Sequence, residues 1–368
     1  MRKPLLFPIL FLLAAITGCN KIIVISKPGK PGIAIDTVQG IAGWTTSSFV
    51  LKGDSLFGIG ENLNGELGIG SANSVSKFTL STTGVTAVST GFEYTLILKK
   101  DGSAWATGLN DQGQLGDGTT NNSNTWIEVA TGVKAISAGI GVSLFIKNDN
   151  TLWGVSDTLP WAGPTLHKLM DSVLSVAAGP AAAMIVKTDN TLWSVGANFD
   201  GQLGDGTITA RPEPVQITTG VLSASMNTYH SLFLKTDHTL WATGDAGAGQ
   251  LGTGSQDGIL TPVQVLTDVV SFTSAYTNAV AIKSDSTVWM TGNNFAGELG
   301  DGGAEQGIYS FRQVQTGARS VSMKLQYVFV NKGDNTIWGT GDDAYGVLGV
   351  PPQTGGDVMT WTQMPVNF

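Results

Sequence analysis

A glycine-rich loop recurs six times along this chain at near-equal intervals, one of them doubled, and nothing else constrains the fold as strongly. In order the loops read LNGELGIGS (Leu63–Ser71), DQGQLGDGT (Asp111–Thr119), DGQLGDGT (Asp200–Thr207), AGQLGTGS (Ala248–Ser255), AGELGDGG (Ala296–Gly303) and YGVLGV (Tyr345–Val350). A fixed period of roughly 40–50 residues is the mark of propeller blades or a solenoid. A second landmark sets the count: an aromatic residue stands three positions before a small one at Phe57, Trp105, Trp153, Trp193, Trp241, Trp289 and Trp338. The step from Trp153 to Trp193 is the short one, and its unit has no Gly-Gln-Leu-Gly loop. The chain therefore holds seven units.

Each unit alternates in strand fashion. Ser231–Leu234 runs through a turn at Lys235–His238 into Thr239–Gly244, a hairpin, and two further runs follow at Pro262–Leu266 and Val269–Ser274. Four short meandering strands in seven units predict an all-β, seven-bladed β-propeller of four-stranded antiparallel blades. A helical solenoid needs long glycine-free stretches, and 49 glycines exclude it. Val38–Gly43 copies Val85–Gly91 and Val133–Gly139, the run that begins each following blade, while the chain stops after Trp361–Val366, the run that would precede it. Blades are thus expected to draw on adjacent repeats, with the two termini closing the ring and leaving no unpaired sheet edges.

Ahead of the propeller the sequence reads as an export signal. Arg2 and Lys3 precede the apolar Leu5–Ala15, and Ile16-Thr17-Gly18-Cys19 forms a small-residue cleavage site. The pattern resembles a bacterial lipoprotein signal, with residues 1–18 removed and Cys19, the only cysteine, lipidated as the membrane anchor. Residues 19–36, with two Pro-Gly pairs, read as a flexible tether, and 37–368 as one domain. Asn20 after the cysteine is compatible with outer-membrane sorting. Loss of Arg2 and Lys3 takes the net charge from −8 to −10, which disfavours nucleic acid as a partner.

The repeat, Gly-x-x-x-(Ser/Thr)-Leu…Asp-x-x-Leu-Trp-x-x-Gly-x-Asn-x-x-Gly-Gln-Leu-Gly-Asp-Gly-Thr, resembles that of the regulator of chromosome condensation superfamily over about residues 37–368. Members include a nucleotide exchange factor, a plant ultraviolet photoreceptor and a secreted inhibitor of β-lactamases, so the resemblance implies a binding platform. The photoreceptor branch resembles Gly-Trp-Arg-His-Thr in several blades, whereas here Thr45-Thr46 follow Gly43-Trp44. An exported chain would meet no cytoplasmic GTPase.

Within one molecule, columns that recur serve the blade and columns that vary are available to a ligand. The tryptophan column reads as core packing, and Asp117, Asp205 and Asp301 as turn caps, with a calcium loop as the sharper alternative. His230 and His238 fall at opposite ends of a strand and share no metal, and no nucleophile, histidine and acid set is recognisable. No cofactor or metal is expected, and no catalysis. After the inner strand the blades vary: Trp44-Thr45-Thr46, Phe92-Glu93-Tyr94, Ile140-Gly141-Val142, Pro180-Ala181-Ala182, Thr228-Tyr229-His230, Tyr276-Thr277-Asn278 and Leu325-Gln326-Tyr327. This turn and the glycine loop are expected on one face. Trp44, Phe92, Tyr94, Tyr229, Tyr276 and Tyr327 are then apolar anchors, with Glu93 and His230 as polar contacts, for a protein partner. The alternative for these aromatics is plugging the channel. A glycan stacking on the same rings is the second functional reading, and a hydrolase or lyase built on loop carboxylates the third. The shortened unit supplies another candidate, Trp161 and His167 within Asp157–Lys168, set against simple decay of a repeat. A monomer is expected.

Overall fold

The computed structural model describes residues 38–44, 47–156, 163–304, 307–324, 326–334, 336–343, 348 and 356–364, with backbone alone for 38–44 and Lys324. Those residues form twenty-eight strands in seven four-stranded antiparallel sheets, each made of four strands consecutive in the chain. Blades 1 to 7 span 38–82, 85–130, 133–170, 173–218, 221–266, 269–315 and 318–363. The repeat frame that starts at a hairpin and ends on a fourth run therefore straddles two blades. Val269–Ala275, the fourth run after Pro262, is the first strand of blade 6.

First strands face one another around the axis, and the ring closes where the first strand of blade 1 packs beside that of blade 7. Ser48 Oγ stands 3.3 Å from the Tyr327 hydroxyl across that junction. Burial falls outward along each blade. The second strands are buried almost throughout, as in Tyr94–Lys99, whereas the fourth, as in Ser123–Ala130, alternate between half-buried and exposed. Apolar side chains of neighbouring blades meet in clusters such as Leu96, Leu115, Ile136 and Phe145.

The recurring columns hold each blade together. Asp149 Oδ1 accepts hydrogen bonds from the backbone N–H and the hydroxyl of Thr151, and that hydroxyl accepts the indole N–H of Trp153 at 2.8 Å. Lys147 lies 4.2 Å over the same indole. The same set recurs at Lys99, Asp101, Ser103 and Trp105 and at Lys235, Asp237, Thr239 and Trp241. The tryptophans are half-buried, each beneath a lysine, and Trp105, Trp153, Trp193 and Trp241 pack against the inter-blade clusters, so they are architectural without being core.

The glycine loop joins blades. Gly118 N–H donates to Pro164 O of the next blade and Gly206 N–H to Leu260 O, both within 3.0 Å. Only glycine fits at Gly113, which has φ 79° and where a Cβ would fall 2.6 Å from the Pro164 Cα. Asp117 and Asp205 cap this loop by accepting from Thr119 and Thr207. Asn110 and Asn198 tie it shut from within by accepting from Leu115 and Leu203 N–H.

Candidate functional site

One face of the ring is built from the turn between first and second strands and the start of the glycine loop. Leu109 N–H donates to Glu93 O, Asp245 N–H to Tyr229 O and Asn293 N–H to Thr277 O, so turn and loop emerge together, as the repeat predicted. Neighbouring blades are tied on this face too. Asn64 Nδ2 donates to Glu93 Oε2 at 2.9 Å, and Gln202 Nε2 donates to Thr228 O at 3.1 Å.

The variable triples divide sharply. In blades 2 to 6 each spans a two-residue turn and the first residue of the second strand: Thr90 pairs with Thr95 across Phe92-Glu93, and Gly179 with Ala182 across Pro180-Ala181. The turn residues reach solvent. Phe92 is 38% exposed and Tyr276 43%. Tyr229 and Tyr276 meet edge to face, with centroids 5.1 Å apart and hydroxyls 3.0 Å apart. Sharing that hydrogen bond holds the Tyr229 phenol above its ordinary pKa.

The third member points between blades at Tyr94, His230 and Tyr327, which removes three of the expected contacts. Tyr94 is 1% exposed; its hydroxyl donates to Val142 O at 2.7 Å and lies 3.1 Å from Ser143 Oγ. Tyr327 makes the matching contact to Ser48, and burial pushes its phenol up to about 12. His230 occupies the same column and is fully buried, with neither ring nitrogen bonded. The residue that should answer it in blade 6 is Ala279, where blades 1 and 3 have Ser48 and Ser143. Burial without a partner drives the imidazole down to about 4, so it is neutral and out of a ligand's reach.

Trp44 is displaced as well. It pairs with Ser47 at the end of the first strand and so matches Gly91, not Phe92. The inner strand of blade 1 thus sits one residue away from the register that its sequence suggests. Trp161 and Cys19 lie outside the described residues. His167 is exposed on the outer strand of blade 3, with Nε2 3.5 Å from Thr165 Oγ and far in sequence and blade position from Tyr229.

Sequence reasoning missed the loop tips. Phe199 is 76% exposed, Leu63 69% and Phe295 52%. All three stand two residues before the first glycine of their loop, a column that varies from blade to blade and was passed over with the constant part of the motif. Carboxylates accompany them. Asp200 and Asp245 both act on the Tyr229 phenol, and burial followed by Asp245 raises the Asp200 carboxyl.

Three acids on this side have near-neutral pKa values, the property that often marks a catalytic group. Each replaces an amide used by sister blades. Gln114, Gln202 and Gln250 accept a backbone N–H two residues earlier with their Oε1 and donate with Nε2. Glu66 and Glu298 accept the same N–H, but the second oxygen has no donor to offer, and Oε1 of Glu298 is buried and unbonded. Burial raises both to about 7. Asp343 stands in the asparagine position, accepts from Leu348 N–H and is raised by burial to about 6. These are loop struts, and their shifts reflect a socket shaped for an amide. Among the described residues no group of three or more His, Cys, Asp or Glu could hold a metal ion.

The model of the regulator of chromosome condensation (RCC1) repeat matches residues 85–114, the first three strands of blade 2 and the start of its loop. The fold is that of the RCC1-type repeat propeller. No curated protein matches the chain by sequence. Among solved structures, the propeller is similar to Prp20p of Saccharomyces cerevisiae, at a TM-score of 0.74 and 17% identity over 84% of this chain and 85% of that one. Human WBSCR16 is similar at 0.73 and 16%, over 85% and 95% of the two chains. The RCC1-type likeness at such identities extends to architecture, and the exposed Phe199, Tyr276 and Phe295 and the half-buried Tyr229 belong to this chain's own variable columns.

Proposed function

We propose that this RCC1-type propeller is a non-catalytic binding platform that engages a protein through the loop face of blades 4 to 6. The observation that carries this reading is the solvent-facing tyrosine pair, Tyr229 against Tyr276, flanked along the chain by the exposed tips Phe199 and Phe295. Aromatic side chains bring large contact area at low entropic cost. The adjoining Asp200 and Asp245, together with a net charge of −8, favour a partner with a basic surface. Phe92 and Glu93, next to Leu63, offer a second contact at blades 1 and 2. A protein-binding role also accords with Prp20p, which is described by its binding to Gsp1p and histones. The leader and Cys19 extend the proposal to a lipid-anchored protein of the cell envelope.

The test is capture of a partner by the parent chain compared with a variant carrying Phe199→Ala, Tyr229→Ala, Tyr276→Ala and Phe295→Ala. Loss of capture with an unchanged melting temperature is the expected result, each tyrosine contributing about 1–2 kcal/mol. Equal capture by both chains would refute the reading, and competition by soluble oligosaccharides would replace the protein partner with a glycan.

A further inference from the structure

The outer wedge between successive blades is plugged in a repeated way. Between blades 2 and 3 Leu166 stands over Gly116, the second glycine of the preceding blade's loop, and in three other wedges a ring takes this place: Trp126 over Gly68, Phe311 over Gly252 and Trp361 over Gly300. The rings fit tightly enough that a Cβ on their three glycines would come within 2.4, 2.5 and 2.6 Å of them. Both indoles are also bonded, Trp126 Nε1–H to Ser81 Oγ and Trp361 Nε1–H to Leu299 O, each at 3.0 Å. The wedge is therefore a socket for an aromatic ring with a donor on its edge.

Between blades 4 and 5 the ring is missing. Pro262 takes the plug position over Gly204, its Cγ at 3.1 Å from the glycine's Cβ position, and Ile217 stands where blade 1 has Ser81. An open pocket of about 440 Å³ is left, lined by Val215, Ile217, Trp241 and Pro262, with the buried Phe233 stacked on Trp241 at 6.3 Å and 8° between planes. The wedge between blades 3 and 4 also carries proline in this position, Pro214, and keeps a smaller space of about 170 Å³. Two cations border the larger cavity against one carboxylate. Lys235 lies 4.2 Å over the Trp241 ring, and Arg211 is paired with the Asp205 carboxylate.

We propose that the wedge between blades 4 and 5 binds a small planar aromatic anion, an indole-sized ring carrying a carboxylate. The ring lies beside Pro262, in the part of the wedge that proline leaves unfilled where sister wedges hold Trp126 and Trp361, against Val215, Ile217 and the edge of Trp241. The carboxylate faces Lys235 and Arg211 at the mouth, where charge-assisted hydrogen bonds form. The volume lies within the range of about 300–1,000 Å³ found for small-molecule pockets. This site is separate from the loop face and stands whether or not that face binds a protein.

Titration calorimetry with indole-3-acetate and with uncharged indole tests it on the full chain. Saturable binding of the anion is expected, weakened at least about tenfold by Pro262→Trp, which restores the missing plug, and unchanged by Pro214→Trp in the neighbouring wedge. Lys235→Gln should weaken the anion about fivefold and leave indole unaffected. The melting temperature of Pro262→Trp should equal or exceed that of the parent; if that variant fails to fold, Lys235→Gln decides alone. Absence of saturable binding by the parent, persistence in a folded Pro262→Trp, or equal loss of both ligands in Lys235→Gln would overturn the proposal.

Discussion

Tyr94 and Tyr229 stand one residue apart in the same repeated hairpin, and that offset separates a structural ring from a surface one. Tyr229 is the second residue of its turn and faces Tyr276 in solvent, whereas Tyr94 opens its strand and sends its hydroxyl to blade 3. The difference comes from the pairing register. A two-residue turn leaves its own side chains outside, and the next residue is the first one the ladder holds between blades. Variation along a column is thus compatible with complete burial, because what varies there is the partner offered by the next blade.

The largest effect that can break this comparison is on stability. Tyr94→Ala should lower the unfolding free energy by about 3–5 kcal/mol, since it empties a buried site and removes the bonds of its hydroxyl to Val142 O and Ser143. Tyr229→Ala should change it by less than about 1 kcal/mol. Urea unfolding of both variants measures the contrast, and equal losses would place the two rings in one environment.

His230 sharpens the comparison through pH. Its folded pKa of about 4 lies below the ordinary 6.5, so the folded state binds fewer protons. Its contribution should be intact above about pH 6.5 and decline as pH falls toward 4, by up to about 3 kcal/mol. His230→Asn, the residue blade 6 uses at Asn278, should abolish that part of the acid lability. A parent with flat stability across this interval would show the imidazole to be solvated.

Glu66 and Glu298 act in the opposite sense. Raised from 4.5 to about 7, each adds stability that is complete below about pH 4.5 and lost as pH rises through 7. Glu298→Gln should match the parent in acid and exceed it by about 1–2 kcal/mol at pH 8, allowing for residual hydration of the carboxylate. Thermal melts at both pH values check this. The smallest effect concerns the surface pair: Tyr276→Phe should bring the Tyr229 phenol back toward its ordinary pKa in an ultraviolet titration, at a stability cost of about 0.5 kcal/mol.

The fold was legible because its signals repeat. Trp105 and its five counterparts fix the period, Asp117 and Asp205 cap the loops, and the copied Val38–Gly43 run marks the first strand of the ring. The common face of turn and loop was also readable from the meander, and Phe92, Glu93, Tyr229 and Tyr276 are on it. Tyr94, Tyr327 and His230 were misplaced because sequence gives the turn's position more easily than its length, and one residue decides burial. Phe199, Phe295 and Leu63 escaped because each lies inside a motif whose glycines drew all the attention. The proline plugs at Pro214 and Pro262 had no meaning until the tryptophans of other wedges showed what filled that space.

Each blade is a continuous stretch of chain, and no strand is lent across the junction between blades 7 and 1. The covalent order of the blades is consequently independent of their hydrogen bonding. A chain rejoined at its ends and reopened between any two blades, for instance between Thr218 and Val221, would keep all seven sheets whole. The ring is in that sense a set of interchangeable wedges, and an individual wedge can acquire its own ligand without the others having to change.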